Sequence, residues 1–455
     1  MTYEQELLLR SVQSLLNIED NVALQQLLSE MHPVDVAGVL TALADEDRQR
    51  LLLLLDVERV ALVLVELDYE SQFRLLHLAG AARASAVLVK MPADEVAELL
   101  RSLEPAAAER LLQLVGGQEA ISLRNLMVYP ADSAGGIMTN EFIALRENMT
   151  AQQAIDVMRK IGPDAETIYY IYVTDQADRL VGVLSLRELI VAAANQEIGA
   201  IMTRSVIKVA IDTDQEQVAK TIARYDLLAV PVVDERERLV GIVTFDDAID
   251  VLEEEATEDF FRTQAAVTAP VEGEFSSPAL ARSWRRLPWL VALLVGELFA
   301  GSVIAGFAKT KESVAILAFF IPVLAGTAGN IGTQSLTMVV RGLATGELTG
   351  RQAWRVIGRE AQVGLVVGLV CGVLLFGIAF LWHGMLLVAI VVALALLLNM
   401  VMATVAGSFF PLLFRRLGID PAIASGPFIA TFLDVTGLFN YFWLATFFLD
   451  RFYQG

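Results

Sequence analysis

The sequence predicts a multidomain membrane protein: an all-α cytosolic superhelical domain, an α/β tandem repeat, a connecting helix and a five-helix α transmembrane domain. Three observations predict it. Charge and hydropathy split the 455 residues into two unlike parts. An internal repeat fills residues 137–258. After residue 284 come five apolar stretches, each longer than the roughly 20 residues needed to cross a bilayer.

Mean hydropathy is +0.55, too apolar for an ordinary soluble chain. Residues 1–283 hold 47 acidic and 23 basic side chains, a net of −24, while residues 284–455 hold 7 and 11, a net of +4. A surface so acidic repels nucleic acid and anionic lipid heads and attracts cations, polyvalent ones most. The single cysteine, Cys371, lies in an apolar run, so no disulfide framework or zinc site forms within one chain. His32, His77 and His383 are scattered and make no HExxH motif, which removes a metalloprotease reading. With no GxxxxGK[ST] loop and no nucleophile–base constellation, no enzyme is expected.

The first element, residues 1–130, carries apolar residues at i, i+3, i+4 in short segments punctuated by Pro, Asp and Glu. Pro33-Val34-Asp35-Val36-Ala37 returns loosely as Pro92-Ala93-Asp94-Glu95-Val96-Ala97. Stacked helix pairs forming a small acidic superhelix fit this pattern. The opening MTYEQELLLR lacks a basic start followed by an apolar core, so this part is expected to stay in the cytosol.

The second element is the repeat. Gly136-Ile137-Met138-Thr139 returns as Ala200-Ile201-Met202-Thr203, and Leu180-Val181-Gly182-Val183-Leu184-Ser185 as Leu239-Val240-Gly241-Ile242-Val243-Thr244. Between these marks each copy runs helix, β-rich run (Tyr169 to Val173; Ala229 to Val233), Gly turn, strand, helix. The pattern resembles a tandem CBS-domain pair, with copies at 137–199 and 200–258. Such pairs are regulatory, bind nucleotides or cations, and dimerise; the fold does not choose the ligand. A connecting, plug-like helix is expected over 259–283, and the transmembrane domain over 284–455.

The spans read as about 287–308, 314–340, 358–382, 385–413 and 422–449. Small and polar residues interrupt the second, which predicts a break there. Arg282, Arg285 and Arg286 precede the first span, Arg341, Arg351, Arg355 and Arg359 separate the second from the third, and Arg415 and Arg416 follow the fourth. Only Lys309 and Lys311 oppose this bias. The N-terminal part is therefore cytosolic and the C-terminus outside.

In this order the parts resemble the MgtE family of magnesium channels over essentially the whole chain. Two stretches carry the resemblance most specifically. One is Pro322-Val323-Leu324-Ala325-Gly326-Thr327-Ala328-Gly329-Asn330-Ile331-Gly332-Thr333-Gln334; the other runs from Asp420-Pro421-Ala422 through Ser425-Gly426-Pro427 to Thr431-Phe432-Leu433-Asp434-Val435-Thr436-Gly437. The resemblance implies a homodimeric, multi-pass protein of the prokaryotic inner membrane that takes up Mg²⁺ down its electrochemical gradient. Mg²⁺ is then both cargo and regulator, and membrane lipid is a partner. Alternatives are a channel for Co²⁺, Mn²⁺ or Zn²⁺ and a metal-sensing receptor that transports nothing. Oxygen-only ligands favour Mg²⁺ over the softer metals, and a receptor needs no Gly-rich span paired with a membrane Asp.

A carboxylate inside a span costs at least ~2.5 kcal/mol, so Asp434 should face water, a cation or a partner. The resemblance implies that two such carboxylates converge across a dimer axis and hold Mg²⁺ through its water shell. Gly326, Gly329 and Gly332 are expected to leave carbonyls free toward the pore, beside Asn330 and Gln334. Thr333 and Gly426 stand where the family also admits Asn and a polar residue, respectively. Asp420 reads equally as a helix cap or a vestibule charge. Glu297, about 15 Å past Pro288 at helical rise, either lines the vestibule or is protonated in a hydrogen bond.

The second repeat runs into Asp246, Asp247, Asp250, Glu253, Glu254, Glu255, Glu258 and Asp259. Of these, Asp247, Asp250, Glu254, Glu255, Glu258 and Asp259 share one half of a helix, with almost no interleaved Lys or Arg. A solvated helix face is the plain reading; a cation sensor is the functional one. The resemblance adds Asp214, Glu216 and Asp226 as sensor positions. Asp94 and Glu98, four apart on one helix face, are placed to bridge metal to the CBS acids. High cytosolic Mg²⁺ would clamp these surfaces and close the pore. ATP is a second regulatory input to consider, since Arg187-Glu188 and Asp246-Asp247 occupy the ribose-holding places of CBS domains.

Overall fold

The structure is a computed structural model; it describes residues 3–162, 165–263, 279–307, 315–344, 347–348, 353–421 and 426–453. The chain forms two compact units, Met1–Glu253 and Glu254–Gly455.

The first unit opens with ten short helices: α1 (Tyr3–Asn17), α2 (Asn21–Glu30), α3 (Pro33–Ala42), α4 (Asp45–Leu54), α5 (Val57–Val65), α6 (Tyr69–Ala79), α7 (Ala81–Leu88), α8 (Ala93–Ser102), α9 (Pro105–Val115) and α10 (Gly117–Leu126). Asp20, Asp56 and Asp68 start α2, α5 and α6 by accepting from a backbone N–H three residues on. Odd helices stack on odd (α1, α3, α5, α7, α9) and, from α4, even on even (α6, α8, α10). That is the superhelix of helix pairs the sequence implies. Pro33 and Pro92, which open the two loosely repeated motifs, both stand at helix starts.

Arginines close the helix ends. Arg48 donates to the carbonyls of Leu40 and Thr41, Arg59 to that of Met31, Arg83 to those of Leu52 and Leu55, and Arg101 to that of Leu126. The last carbonyls of a helix lack internal partners, and its C-terminal dipole favours a cation. Of these arginines only Arg48 also pairs with a carboxylate among the described residues, that of Asp45 at 3.1 Å; the others are directed at the backbone.

After α11 (Ala134–Ile137) come β1 (Ala144–Arg146), α12 (Ala151–Ile161), β2 (Tyr170–Thr174), β3 (Leu180–Ser185) and α13 (Leu186–Val191). The second copy follows α14 (Ile198–Ile201) with β4 (Val209–Ala210), α15 (Gln215–Tyr225), β5 (Ala229–Val233), β6 (Leu239–Thr244) and α16 (Phe245–Thr263). Both sheets have three strands, the first pair parallel and the second antiparallel, with a register shift at the same place. The repeated motifs lock the copies together by exchange. Met138, opening the first copy, covers Gly241 of the second; Met202, opening the second, covers Gly182 of the first. A Cβ on Gly241 or Gly182 would lie 2.6 or 2.4 Å from the facing Met sulfur. Thr139 and Ile242 exchange backbone hydrogen bonds, as do Thr203 and Val183.

The second unit holds α17 (Ala279–Gly306), a 3-10 turn (Ala315–Phe320), α18 (Ile321–Ala344), α19 (Ala353–His383), α20 (Leu386–Arg416) and α21 (Gly426–Tyr453). Five segments are long and apolar enough to span: Arg286–Gly306, Ile316–Leu343, Trp354–His383, Leu386–Arg416 and Gly426–Phe448. Helix α20 is central and touches α18, α19 and α21. Small residues set these crossings: a Cβ on Gly407 would lie 2.2 Å from the Gly332 carbonyl, and one on Gly364 2.3 Å from the Thr404 hydroxyl.

One expectation is corrected. The predicted break over Gly326, Gly329 and Gly332 is absent, because α18 is unbroken from Ile321 to Ala344. In hydrocarbon the backbone must satisfy itself; Gly329 and Gly332 serve packing instead, while Gly326 is exposed. Most of the expected 259–283 connector, residues 264–278, and the 422–425 start of the fifth span lie outside the described residues, as do Lys309 and Lys311.

Candidate functional site

The membrane unit brings two carboxyl groups together. Asp434 is half-buried on α21, and Glu297 on α17 is its electrostatic neighbour. Gly296 makes this pairing by close approach: a Cβ there would lie 2.3 Å from Cγ2 of Thr431, one turn before Asp434. On the other side α18 lies against α21. Gly329 faces Ala430, and a Cβ on Gly332 would lie 2.5 Å from Cδ1 of Leu433.

With Gly329 and Gly332 turned into this seam, Gly326, Asn330 and Gln334 are left exposed at i, i+4, i+8 of α18. Thr333 is half-buried and donates to the Gly329 carbonyl at 2.9 Å. Gly426 is buried at the start of α21, and Asp420 is half-buried ahead of it. Behind Asp434, buried Asn399 donates to the Gly437 carbonyl at 3.3 Å and accepts from Asn440 at 2.8 Å. Sequence reasoning missed Glu360, whose carboxylate accepts from the Ser335 hydroxyl at 2.6 Å. It stands near the start of α19, close to Arg355 and Arg359 in sequence, and so looked like one more interfacial charge.

The first unit assembles a second acidic site where α8 meets the start of α16. Asp94 and Glu95 interact electrostatically with Asp247, and Glu166 joins from the loop before β2. Among the described residues none of Asp94, Glu95, Glu166, Asp247 and Asp250 forms an ion pair with Lys or Arg. Burial, then mutual repulsion, pushes Asp94 well above its usual range, Glu95 up to about 8 and Glu166 up to about 7. Burial also pushes Asp247 up to about 6, although the Thr244 hydroxyl and N–H hold it down. Burial raises Asp250 as well. The Oδ1 atom of Asp94 is buried with no hydrogen-bond partner among the described residues.

Such a cluster is unfavourable unless protons or cations neutralise it. Hard oxygens and an orphaned buried acceptor fit a magnesium-type cation, although among the described residues no three acids converge into a cage for a bare ion. Sequence reasoning found Asp94, Asp247 and Asp250 but missed Glu95, the neighbour of Asp94, and Glu166. The loop carrying Glu166 is tied in by its N–H donating to the Glu141 carbonyl at 2.7 Å, which no periodicity announces.

The remaining sequence candidates lie elsewhere. Glu98 accepts from the Tyr69 hydroxyl at 2.9 Å. Asp214 caps α15, Glu216 pairs with Lys220 at 2.5 Å, and Asp226 is the left-handed residue ending that helix. Glu255, Glu258 and Asp259 lie along α16 in the second unit. Glu188 closes a capping box with Ser185, accepting from its N–H and hydroxyl at 2.8 and 2.7 Å, beside Arg187.

Five apolar spans following a tandem CBS module define a multi-pass membrane protein. The comparisons with known proteins give the family. Residues 321–444 match the MgtE divalent cation transporter model, residues 31–132 the MgtE intracellular N domain, and residues 134–195 and 198–254 the CBS domain. The chain is 43% identical to the magnesium transporter MgtE of Thermus thermophilus, over 98% of this chain and 99% of that one. It is 40% identical to the Bacillus subtilis magnesium transporter MgtE, over 74% of each. A crystal structure of the cytosolic domain of the Mg²⁺ channel MgtE in complex with ATP covers 53% of this chain, with a TM-score of 0.52 and 42% identity. The chain belongs to the MgtE family of divalent cation transporters, a family of transporters and not of enzymes.

Proposed function

We propose that this protein is a Mg²⁺ channel of the prokaryotic inner membrane, closed from the cytosol by Mg²⁺ bound to its own acidic surfaces. The observation that carries this reading is Asp434, a carboxylate on a spanning helix, lodged between α17 and α18. Its relatives are magnesium transporters by name, which favours Mg²⁺ over other divalent ions. As a homodimer with cytosolic N-terminal domains and an outside C-terminus, the protein brings two Asp434 side chains to one pore. There they hold the hydrated ion through its water shell, flanked by the exposed Asn330 and Gln334 faces of α18. A divalent ion moving inward through 100 mV gains about 4.6 kcal/mol, so no energy-coupling site is needed.

Regulation falls to the acidic site of the first unit. Asp94, Glu95, Glu166, Asp247 and Asp250 would hold regulatory Mg²⁺, whose charge replaces the protons that repulsion otherwise demands. The acids of α16 and the positions Asp214, Glu216 and Asp226 add to this sensor where copies of the chain meet. ATP is a second input, supported by the relative solved with ATP. Its place beside Arg187 and Glu188 competes with the capping box that Glu188 already makes.

Mg²⁺ flux into liposomes carrying the full chain, with and without millimolar internal Mg²⁺, tests the reading. Uptake that internal Mg²⁺ suppresses, and that Asp434→Ala abolishes, supports it. A wild type that moves no divalent ion under either condition overturns it in favour of a metal-sensing receptor.

A further inference from the structure

At one end of the membrane unit, α18, α19 and α20 leave a groove of about 400 Å³ that the ion pathway does not use. Its walls are apolar: Leu343 from the end of α18, Ile357 from the start of α19, and Phe409 and Leu413 from α20. At its mouth stand Trp354, Arg415 and Arg416. Arg415 donates to the Leu348 carbonyl at 2.9 Å, which leaves other N–H groups of its fork unused. Arg416 is exposed and has no partner among the described residues.

Arginines at the C-terminal end of a helix are favoured by the helix dipole, and at a membrane face by topology. Neither effect calls for an apolar groove beneath them. A soluble anion would satisfy the guanidinium groups but not the walls, and a neutral acyl chain would satisfy the walls but not the charges. One molecule satisfies both. We infer that this groove is a binding site for an anionic phospholipid, with an acyl chain along Leu343, Ile357, Phe409 and Leu413 and its phosphate on Arg415 and Arg416. Trp354, 74% exposed, sits where an interfacial ring flanks a headgroup.

The site has a structural consequence. Arg415 reaches the same Leu348 whose side chain lies over Gly342, where an added Cβ would be 2.7 Å from Leu348 Cδ1. A phosphate on Arg415 therefore bears on Leu348 and its packing over Gly342 near the end of α18.

Native mass spectrometry of the purified full-length protein, with phosphatidylglycerol or phosphatidylcholine added to the detergent, tests the inference. The wild type should retain phosphatidylglycerol in preference to phosphatidylcholine. Arg416→Gln should weaken retention about five-fold, and the Arg415→Gln, Arg416→Gln pair more. Leu413→Trp, which keeps both charges and fills the groove, should also lose the lipid. Arg341→Gln, at the same membrane face but outside the groove, controls for charge alone, and thermal unfolding of each variant shows that it folds. Equal retention by wild type and the double variant overturns the site. Retention that persists in Leu413→Trp reduces it to surface attraction, and competition by millimolar inorganic phosphate makes it a free-anion site. Loss of an oligomer by Leu413→Trp with lipid retention unchanged assigns the groove to a second copy. Each of these three outcomes also overturns the lipid site.

Discussion

Glu297 and Asp434, on the first and last spanning helices, are electrostatic neighbours inside the membrane unit. Gly296 fixes the pair by admitting Thr431 against the backbone of α17. Two carboxylates that act on each other inside a membrane favour a cation between them. Glu297 thereby acts on Asp434, and Glu297→Gln should keep the protein folded and transporting while weakening apparent Mg²⁺ affinity. Losing one neighbouring negative charge removes roughly 1 kcal/mol of attraction for the cation, so a several-fold rise in the half-saturating concentration is expected. Concentration-dependent flux into liposomes checks it, and an unchanged half-saturation would leave Glu297 a bystander.

Gly296→Ala tests the same geometry from the backbone side. The new methyl would meet Thr431 Cγ2 at 2.3 Å, so either the Thr431 side chain turns or α17 moves off α21 and carries Glu297 away. Its flux should fall in the same direction as that of Glu297→Gln. The double variant should cost no more than the worse single one, because both lose a single contact.

The acidic site of the first unit predicts a pH dependence whose sign follows from proton linkage. Free Asp and Glu titrate near 4, whereas Glu95 sits at about 8, Glu166 at about 7 and Asp247 at about 6. Between these limits the folded protein binds more protons than the unfolded one, so stability is greatest below pH 4–5. It falls as pH rises through 6 to 8. Millimolar Mg²⁺ should flatten that slope, since the cation replaces the protons. Melting temperature against pH with and without Mg²⁺ gives the answer, and a metal-free protein that gains stability from pH 5 to 8 would contradict it.

Neutralising one acid should uncouple stability from sensing. Asp94→Asn removes a buried charge whose Oδ1 has no partner, so the metal-free protein should melt higher, by a few degrees for about 1 kcal/mol. The same change removes a proposed magnesium ligand, so internal Mg²⁺ should inhibit only at several-fold higher concentration. Both effects appearing together distinguishes a sensor from a packing site, which would lose stability.

How far the sequence revealed this differs between the two sites. Repeat motifs were legible because each repeated residue meets another: Met138 on Gly241 and Met202 on Gly182 require both marks in both copies. Spanning segments were legible because hydrocarbon imposes length and apolarity. Asp434 stood out as a charge where charge is costly. Its partner Glu297 was visible as an oddity but not as a partner, since spacing along the chain says nothing about which helices touch. The same limit hid Glu166, which a loop brings to α8. The glycines of α18 were misread as a break because a Gly-rich stretch looks alike whether it bends a helix or admits a neighbour.

That last ambiguity yields the sharpest packing prediction. If the glycines of the spanning helices are seams, the cost of enlarging them follows the space around each one. Around Gly326 an added Cβ meets nothing within 4 Å, whereas at Gly407 it would meet the Gly332 carbonyl at 2.2 Å. Gly326→Ala should therefore fold like the wild type, with any effect confined to ion flux along the exposed face of α18. Gly407→Ala should lose about 1–3 kcal/mol or more of stability, because a backbone carbonyl cannot step aside as a side chain can. Detergent thermal unfolding of the two variants separates the cases. Equal stability of the two variants would mean that the Gly332–Gly407 approach yields without cost, and the close α18–α20 crossing would then have no role in holding the spans together.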